Sequence, residues 1–440
     1  MMQKKVYSWA LYDWANSAFA TTVMAGFFPL FFSQYWSDTN SVSASTFYLG
    51  LGNSIASIIV ALLAPILGAI ADNGSFKKKF LIFFAFLGVV MTIGLGFIAQ
   101  GMWPIALLVY IFATIGFSSA NTFYDSLLPA VSNKDNVDYV SALGFSIGYL
   151  GGGILIVINF LMLTYPSFFG LIDATQAIQY SFISVGIWWA VFSLPIMLFV
   201  DEPRYHDEKS LVNSIRDGLS DFRSTFNEIK NLKVVATFLL AYWLYIDGVD
   251  TVVRMAADFA MTLGFDQTAI MGALVLIQFI AFFATLIYIK IAGKIGLKNG
   301  IYAGIIAYIL ILIGAYYINE IWQFYCVAIL IGCFQGGIQS LSRSMYSRII
   351  PENKSAEYYG FYNMLGKFAA VIGPLLMGTV TLLLNNMTGD AEQAARYGIL
   401  SVSILFFSGA YVFSRVDLEE GERIAKEHLL RSKAKARYFI

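Results

Sequence analysis

Residues 9–17 read Trp9-Ala10-Leu11-Tyr12-Asp13-Trp14-Ala15-Asn16-Ser17, and residues 243–251 read Trp243-Leu244-Tyr245-Ile246-Asp247-Gly248-Val249-Asp250-Thr251. A tryptophan, an aspartate, a second polar residue and a hydroxyl recur in the same order, each displaced by 234 positions. A second set, Tyr124, Pro129, Gly144 and Gly151, recurs as Tyr346, Pro351, Gly366 and Gly373 at a displacement of 222. Two constant displacements describe a chain whose halves repeat each other. Both nonapeptides also set carboxylates among apolar residues, so the surroundings of those carboxylates decide the fold.

Those surroundings are lipid. The 440 residues are 58% hydrophobic and 13% charged, where a soluble domain carries about 25% charged residues. So few charges cannot coat a soluble surface. Runs of about 20 apolar residues are long enough to cross a bilayer. They predict twelve spanning helices at 8–35, 46–71, 80–99, 105–123, 139–163, 177–199, 237–260, 268–290, 300–318, 321–342, 357–384 and 395–414. With the N-terminus in the cytoplasm, 25 of the 28 lysines and arginines fall on the cytoplasmic side, as the positive-inside rule requires. Arg396 alone falls in an outer loop, and Arg254 and Lys367 fall inside spans. Both termini are therefore expected in the cytoplasm. The first apolar stretch, Tyr7 to Gln34, exceeds a signal-peptide core of about 7–15 residues and is read as a retained helix. Cys326 and Cys333 lie in one apolar segment and are expected to be buried, inert thiols. Net charge is zero, and no basic stripe on a soluble module suggests nucleic acid.

Spans and repeat together predict an all-α membrane protein of two six-helix pseudo-repeats. The N-terminal half is 1–200, a cytoplasmic linker is 201–233, the C-terminal half is 234–414 and a cytoplasmic tail is 415–440. The linker is expected to be partly helical and to lie at the membrane surface. A parallel repeat of six helices is the architecture of the major facilitator superfamily, in which substrate binds between the halves.

Ionisable groups inside spans cost at least about 2.5 kcal/mol each, so each asks for a reason. Asp13, Asn16 and Ser17 share one face of the first span, and Asp247, Asp250, Thr251 and Arg254 share one face of the seventh. They are read as a polar wall for substrate, with structural contact between helices as the alternative. Asp250 precedes Arg254 by four positions, the spacing of an intrahelical ion pair. That leaves Asp247 as the aspartate expected to exchange a proton. Lys367 in the eleventh span either meets a substrate carboxylate or reaches for the surface. Gln335, Gln339 and Ser342 form a polar stripe on the tenth span, with Arg343 at its cytoplasmic end. Gly144, Gly148 and Gly152 form a small-residue stripe for close helix contact.

Gly68-Ala-Ile-Ala-Asp72-Asn-Gly-Ser-Phe-Lys77-Lys78-Lys79 joins the second and third spans. It resembles the superfamily's cytoplasmic gating motif, so Gly68, Asp72, Lys77 and Lys78 are gating candidates. An asparagine stands where that motif usually has arginine. The plainer reading, a lysine cluster that sets topology, leaves Gly68 and Asp72 unexplained. Gly360 to Lys367 imitates a phosphate loop, but its glycines are six apart and Phe368 replaces the hydroxyl residue. No Gly-x-Gly-Asp accompanies Tyr12-Asp13, as an intramembrane aspartyl protease would need. No cofactor and no metal site is expected, since His206 and His428 both fall in polar segments.

Trp9 to Ser17, Leu127-Leu-Pro129, Gly148-Tyr-Leu-Gly-Gly152, Ala241 to Thr251, Gly336-Gly-Ile-Gln-Ser-Leu-Ser-Arg343 and Gly373-Pro374 together resemble the vacuole-effluxer-like family of the major facilitator superfamily. The resemblance implies twelve helices and solute efflux, with amino acids as the best-known cargo of vacuolar members. Ile246 and Asp250 depart from the family's usual Asn and Gln, and the second departure adds a charge to the cargo wall. Short loops look prokaryotic and favour a plasma membrane. The expected protein is a monomeric secondary transporter for a small polar solute, with protons as a candidate co-substrate and no enzymatic activity. The alternative is a non-transporting receptor or scaffold, which has no need of unpaired charge within its spans.

Overall fold

The computed structural model describes residues 2–37, 42–203, 214 and 232–437. Twelve helices in it are long and apolar enough to cross a membrane. They are α1 (Gln3–Trp36), α2 (Tyr48–Gly74), α3 (Lys77–Leu95), α4 (Trp103–Ser126), α5 (Val137–Thr164) and α6 (Ala174–Phe199) in the first half. The second half holds α7 (Lys233–Thr262), α8 (Ala269–Ile295), α9 (Leu297–Tyr316), α10 (Ile321–Ile349), α11 (Glu352–Thr388) and α12 (Ala391–Ser414). A further helix, α13 (Leu418–Arg437), follows. In lipid the backbone must satisfy its own hydrogen bonds, and helices do so within one segment. The linker expected to be partly helical falls almost wholly on 204–231, outside the described residues.

Buried apolar side chains form two clusters, one from Val6 to Val200 and one from Val235 to Val416. Ala356, at the start of α11, belongs to the first cluster although it lies in the second half. The halves are thus knitted together at that point. The expected glycine stripe of α5 packs on α1: a methyl group added at Gly144, Gly148 or Gly152 would meet Asp13, Ser17 or Thr21 at 2.8–3.0 Å. In the second half α11 leans on α7 at the repeat-related glycine, with Gly373 against Asp247 and Thr251. Cys326 is exposed on α10 and Cys333 half-buried. Cys326 is therefore not the buried thiol expected; its helix turns it outward to the lipid-facing surface. The C-terminal part of α1 widens into wider-than-α turns over Phe19–Phe27 and Phe32–Trp36, flanking Pro29, which has no N–H for a regular turn.

Candidate functional site

At the end of the molecule that carries both termini, α2 and α11 cross at backbone contact. A Cβ on Gly68 would overlap the carbonyl of Ala356, and one on Gly360 would overlap Ala64 and Pro65. Asp72 accepts the N–H groups of Ala356 and Glu357 at 3.2 and 2.8 Å. It thereby caps the N-terminus of a helix from the other half, where a carboxylate satisfies free N–H groups and the helix dipole together. Lys77, itself buried, pairs with Asp72 at 2.8 Å and donates to Ser355 Oγ at 2.7 Å. Gly68, Asp72 and Lys77 thus meet at one seam between halves. Lys78 contributes only its backbone there. Its N–H and that of Lys77 are both held by Glu202 at 3.0 Å, which caps α3. Burial pushes the Glu202 carboxyl up, against the pull of those two N–H groups.

A second seam lies beside the first. Arg343 of α10 is buried and donates through Nη1 to Asp125 of α4 at 3.0 Å. The same nitrogen lies 3.6 Å from Asp13 of α1. Nε and Nη2 donate to the hydroxyl and carbonyl of Ser141 on α5 at 3.0 and 2.8 Å. Trp9, Tyr124 and Phe145 face the guanidinium at 5.0, 5.5 and 4.1 Å. Arg343, expected at the end of the polar stripe on the tenth span, is thus buried against the opposite half. Further out, Arg348 pairs with Asp138 at 2.9 Å, and Glu422 of α13 with Lys134 at 2.9 Å. Every one of these seams lies at the terminus-bearing end.

Above Arg343 opens a cavity of about 200 Å³. Its walls come from α1, α4 and α5 and from their repeat partners α7, α10 and α11. Asp13, Asn121, Tyr124, Asp125 and Phe145 line it from the first half; Tyr242, Ile246, Asp250, Gln339, Arg343, Tyr362, Asn363, Gly366 and Lys367 line it from the second. Of the residues proposed from sequence, Asp13, Asp250, Gln339 and Lys367 reach this wall. Gln339 accepts the Tyr149 hydroxyl at 2.8 Å. Asn16 is buried one layer back and hydrogen-bonds Asn121. Ser17 packs against Gly148 of α5. Gln335 is not part of the wall, and its buried carbonyl oxygen has no hydrogen-bond partner among the described residues. Arg254 is exposed, one turn beyond Asp250. No ion pair within 4 Å joins Asp250 to Arg254 among the described residues, so the expected pairing is absent in this state.

Asp247 turns away from the cavity. It is 1% exposed and accepts the Gly373 N–H at 2.9 Å and the Thr251 hydroxyl at 3.3 Å. Pro374 follows Gly373 within α11, so the carboxylate supports that helix beside its proline. This geometry makes Asp247 a brace inside the second half. Asp247→Asn keeps an accepting oxygen, and near-normal thermal stability and transport are expected. Asp247→Leu removes the acceptor shared by the Gly373 N–H and the Thr251 hydroxyl in an apolar setting, at a cost of roughly 1–3 kcal/mol. Its melting temperature in detergent should fall measurably below that of the Asn variant. Equal melting of the two variants would remove the bracing role.

Asp125, Arg343, Asn121 and Asn363 were missed or misplaced by sequence reasoning. The fourth span was expected to end at 123, and α4 continues to Ser126. The signal was available in the repeat, because the displacement of 222 that joins Tyr124 to Tyr346 also sets Asn121 opposite Arg343.

Comparison with known proteins agrees with this architecture. The family described as Vacuole effluxer Atg22 like matches residues 36–139 and 132–426. The uncharacterized MFS-type transporter YxiO of Bacillus subtilis strain 168 is 35% identical, over 96% of this chain and 97% of that protein. Autophagy-related protein 22 of Vanderwaltozyma polyspora is 22% identical, over 96% and 93%. Among solved structures, the human organic anion transporter MFSD10 superposes with a TM-score of 0.72 at 13% identity, over 94% of this chain and 99% of that one. The proton:xylose symporter XylE superposes with a TM-score of 0.69 at 15% identity, over 96% and 98%. At such identities the structural likeness speaks for the fold alone.

Proposed function

Because the chain belongs to the vacuole effluxer Atg22-like family, a membrane transporter family built on the major facilitator fold, we propose that it is a secondary active transporter exporting a small polar solute by alternating access. The proposed cargo is an amino acid or a similar metabolite. The proposed membrane is the plasma membrane, with both termini in the cytoplasm and the chain acting as a monomer. One observation carries the reading: a cavity between the halves presents carboxylates and cations together, and it is sealed at one end only by contacts between halves. Such a wall suits a solute bearing both signs of charge, and a seal made of ion pairs and helix crossings can part and reform. The asymmetry of lysine and arginine supports the orientation, which makes the sealed end cytoplasmic and this state outward-facing.

Purified protein in liposomes should exchange radiolabelled zwitterionic amino acids across the membrane in a saturable way. In intact cells a cysteine at Glu320 should react with an impermeant thiol reagent added outside. Absence of exchange for every amino acid in a full panel would overturn the cargo class, and an unreactive Glu320→Cys would overturn the orientation.

A further inference from the structure

We propose that Asp13 and Asp125 together form a proton-binding site, and that Arg343 is the counter-ion that takes the proton's place when the halves close at the terminus-bearing end. The proposal rests on the alternating-access reading and adds to it the atoms that carry coupling.

Both carboxylates belong to the first half, on α1 and α4, and the guanidinium belongs to the second, on α10. They cannot travel together when the halves part. Asn363 of α11 also donates to Asp125, at 3.3 Å, and it leaves with the second half. Asp13 keeps the Tyr124 hydroxyl at 3.1 Å, because Tyr124 sits on α4 beside Asp125. Parting the halves thus strips two neighbouring carboxylates of their shared cation and leaves them against the rings of Trp9, Tyr124 and Phe145. Two carboxylates close enough to share one guanidinium nitrogen raise each other's affinity for a proton once that cation is gone.

One proton restores the balance. Two carboxylates with one guanidinium carry one net negative charge, and two carboxylates with one proton carry the same. An O–H bond forms on either aspartate when Arg343 withdraws, with the proton taken from water at the opened end. That bond breaks when Arg343 returns, and the proton leaves through the cavity that Asp13 and Asp125 line. The other groups facing the pair are Tyr149 of α5, Tyr359 and Tyr362 of α11 and Tyr242 of α7, which offer hydroxyls and no charge. Asp250 and Lys367 stand on the opposite wall with opposite signs. Asp247 has no such exchange of partners, since Gly373 and Thr251 move with it.

The test places spin labels on cysteines at Asp135 and Glu352, exposed positions on opposite halves at this end, after Cys326 and Cys333 are replaced by serine. Pulsed distance measurements on detergent-purified protein then give the ratio of parted to closed molecules across pH. One proton bound only in the parted state raises that ratio by up to about tenfold for each unit the pH falls. Asp13→Asn and Asp125→Asn should flatten this dependence, Asp125→Glu should restore it, and Asp247→Asn should leave it as in the wild type. Arg343→Gln should part the halves at every pH. Each variant is first required to run as a single species on gel filtration. A dependence that survives both Asn variants, or that vanishes in Asp247→Asn alone, overturns the proposal. No dependence in the wild type, with parted halves in Arg343→Gln, overturns the proton site and spares alternating access. One unchanging distance in all variants at all pH values overturns both.

Discussion

Gly68→Val is expected to abolish transport while leaving a folded protein trapped open at the terminus-bearing end. In the closed state a Cβ at position 68 would overlap the Ala356 carbonyl and lie 2.7 Å from the Cα of Glu357. Both obstacles are backbone atoms of α11, so no rotamer change relieves them. Overpacking of this kind costs typically about 1–3 kcal/mol and occasionally more. The cost falls on the closed state alone, because α2 and α11 belong to different halves and separate when this end opens. The upper part of that range shifts the closed-to-open ratio by roughly a hundredfold. The α11 cap goes with the crossing, since Asp72 reaches the N–H groups of Ala356 and Glu357 only at this approach. A cysteine at Ser340, which is buried and accepts a bond from Ser141 of the other half, should be shielded in the parent. It should react with a thiol reagent in Gly68→Val. Gly378→Val is the control, since nothing lies within 4 Å of a Cβ there. Wild-type transport with Ser340→Cys still shielded would show that the crossing is not obligatory.

How much of this was legible in the sequence follows from what hydropathy measures. Runs of apolar residues report surfaces that face lipid, so the twelve spans and the doubling of the chain could be read directly. The seams between halves are a different matter. Gly68 and Asp72, four apart on one helix face, stand out in the sequence as a spaced pair, but their partner is the N-terminus of a helix more than 280 residues away. Arg343 stands close in sequence to Arg348 and Lys354, and counting charges grouped it with them on the cytoplasmic side. Its burial becomes visible only when Asp125 and Asp13 are brought beside it, and pairwise neutralisation leaves no trace in composition. Truncating the fourth span by a few residues then turned Asp125 into a loop charge as well.

The seventh span shows a finer limit. Residues three apart on a helix differ by about 60° in direction, so Asp247 and Asp250 share a face only loosely. Here that angle sends Asp250 into the cavity and Asp247 into α11. The repeat is preserved in backbone and not in chemistry. Asp13 and Asp247 are equivalent by sequence, yet one reaches across to Arg343 and the other is held inside its own half.

Lys367→Ala is expected to raise the half-saturating concentration for a zwitterionic cargo by about 10- to 100-fold, the worth of one hydrogen bond to a charged group at roughly 1.5–3 kcal/mol. Asp13 and Asp125 share Arg343 in this state, which leaves Asp250 and Lys367 as the cavity's other charges. Among the described residues neither closes an ion pair or a hydrogen bond. They face one cavity with opposite signs, and a cargo carrying an ammonium and a carboxylate can bridge them. Asp250→Asn should weaken exchange comparably through the ammonium end. Lys367→Arg should retain most of the affinity, because it keeps the charge at nearly the same reach. The exchange of Asp250 and Lys367 for each other, as Asp250→Lys with Lys367→Asp, should recover more activity than either charge-reversing change alone, since the bridge needs both signs and tolerates a cargo that binds turned around. Counterflow of radiolabelled amino acids at equal concentrations inside and outside liposomes reads cargo binding without any contribution from an ion gradient. An unchanged half-saturating concentration in Lys367→Ala would mean that the lysine does not touch the cargo, and the carboxylate partner would have to be Arg254, one turn further along α7.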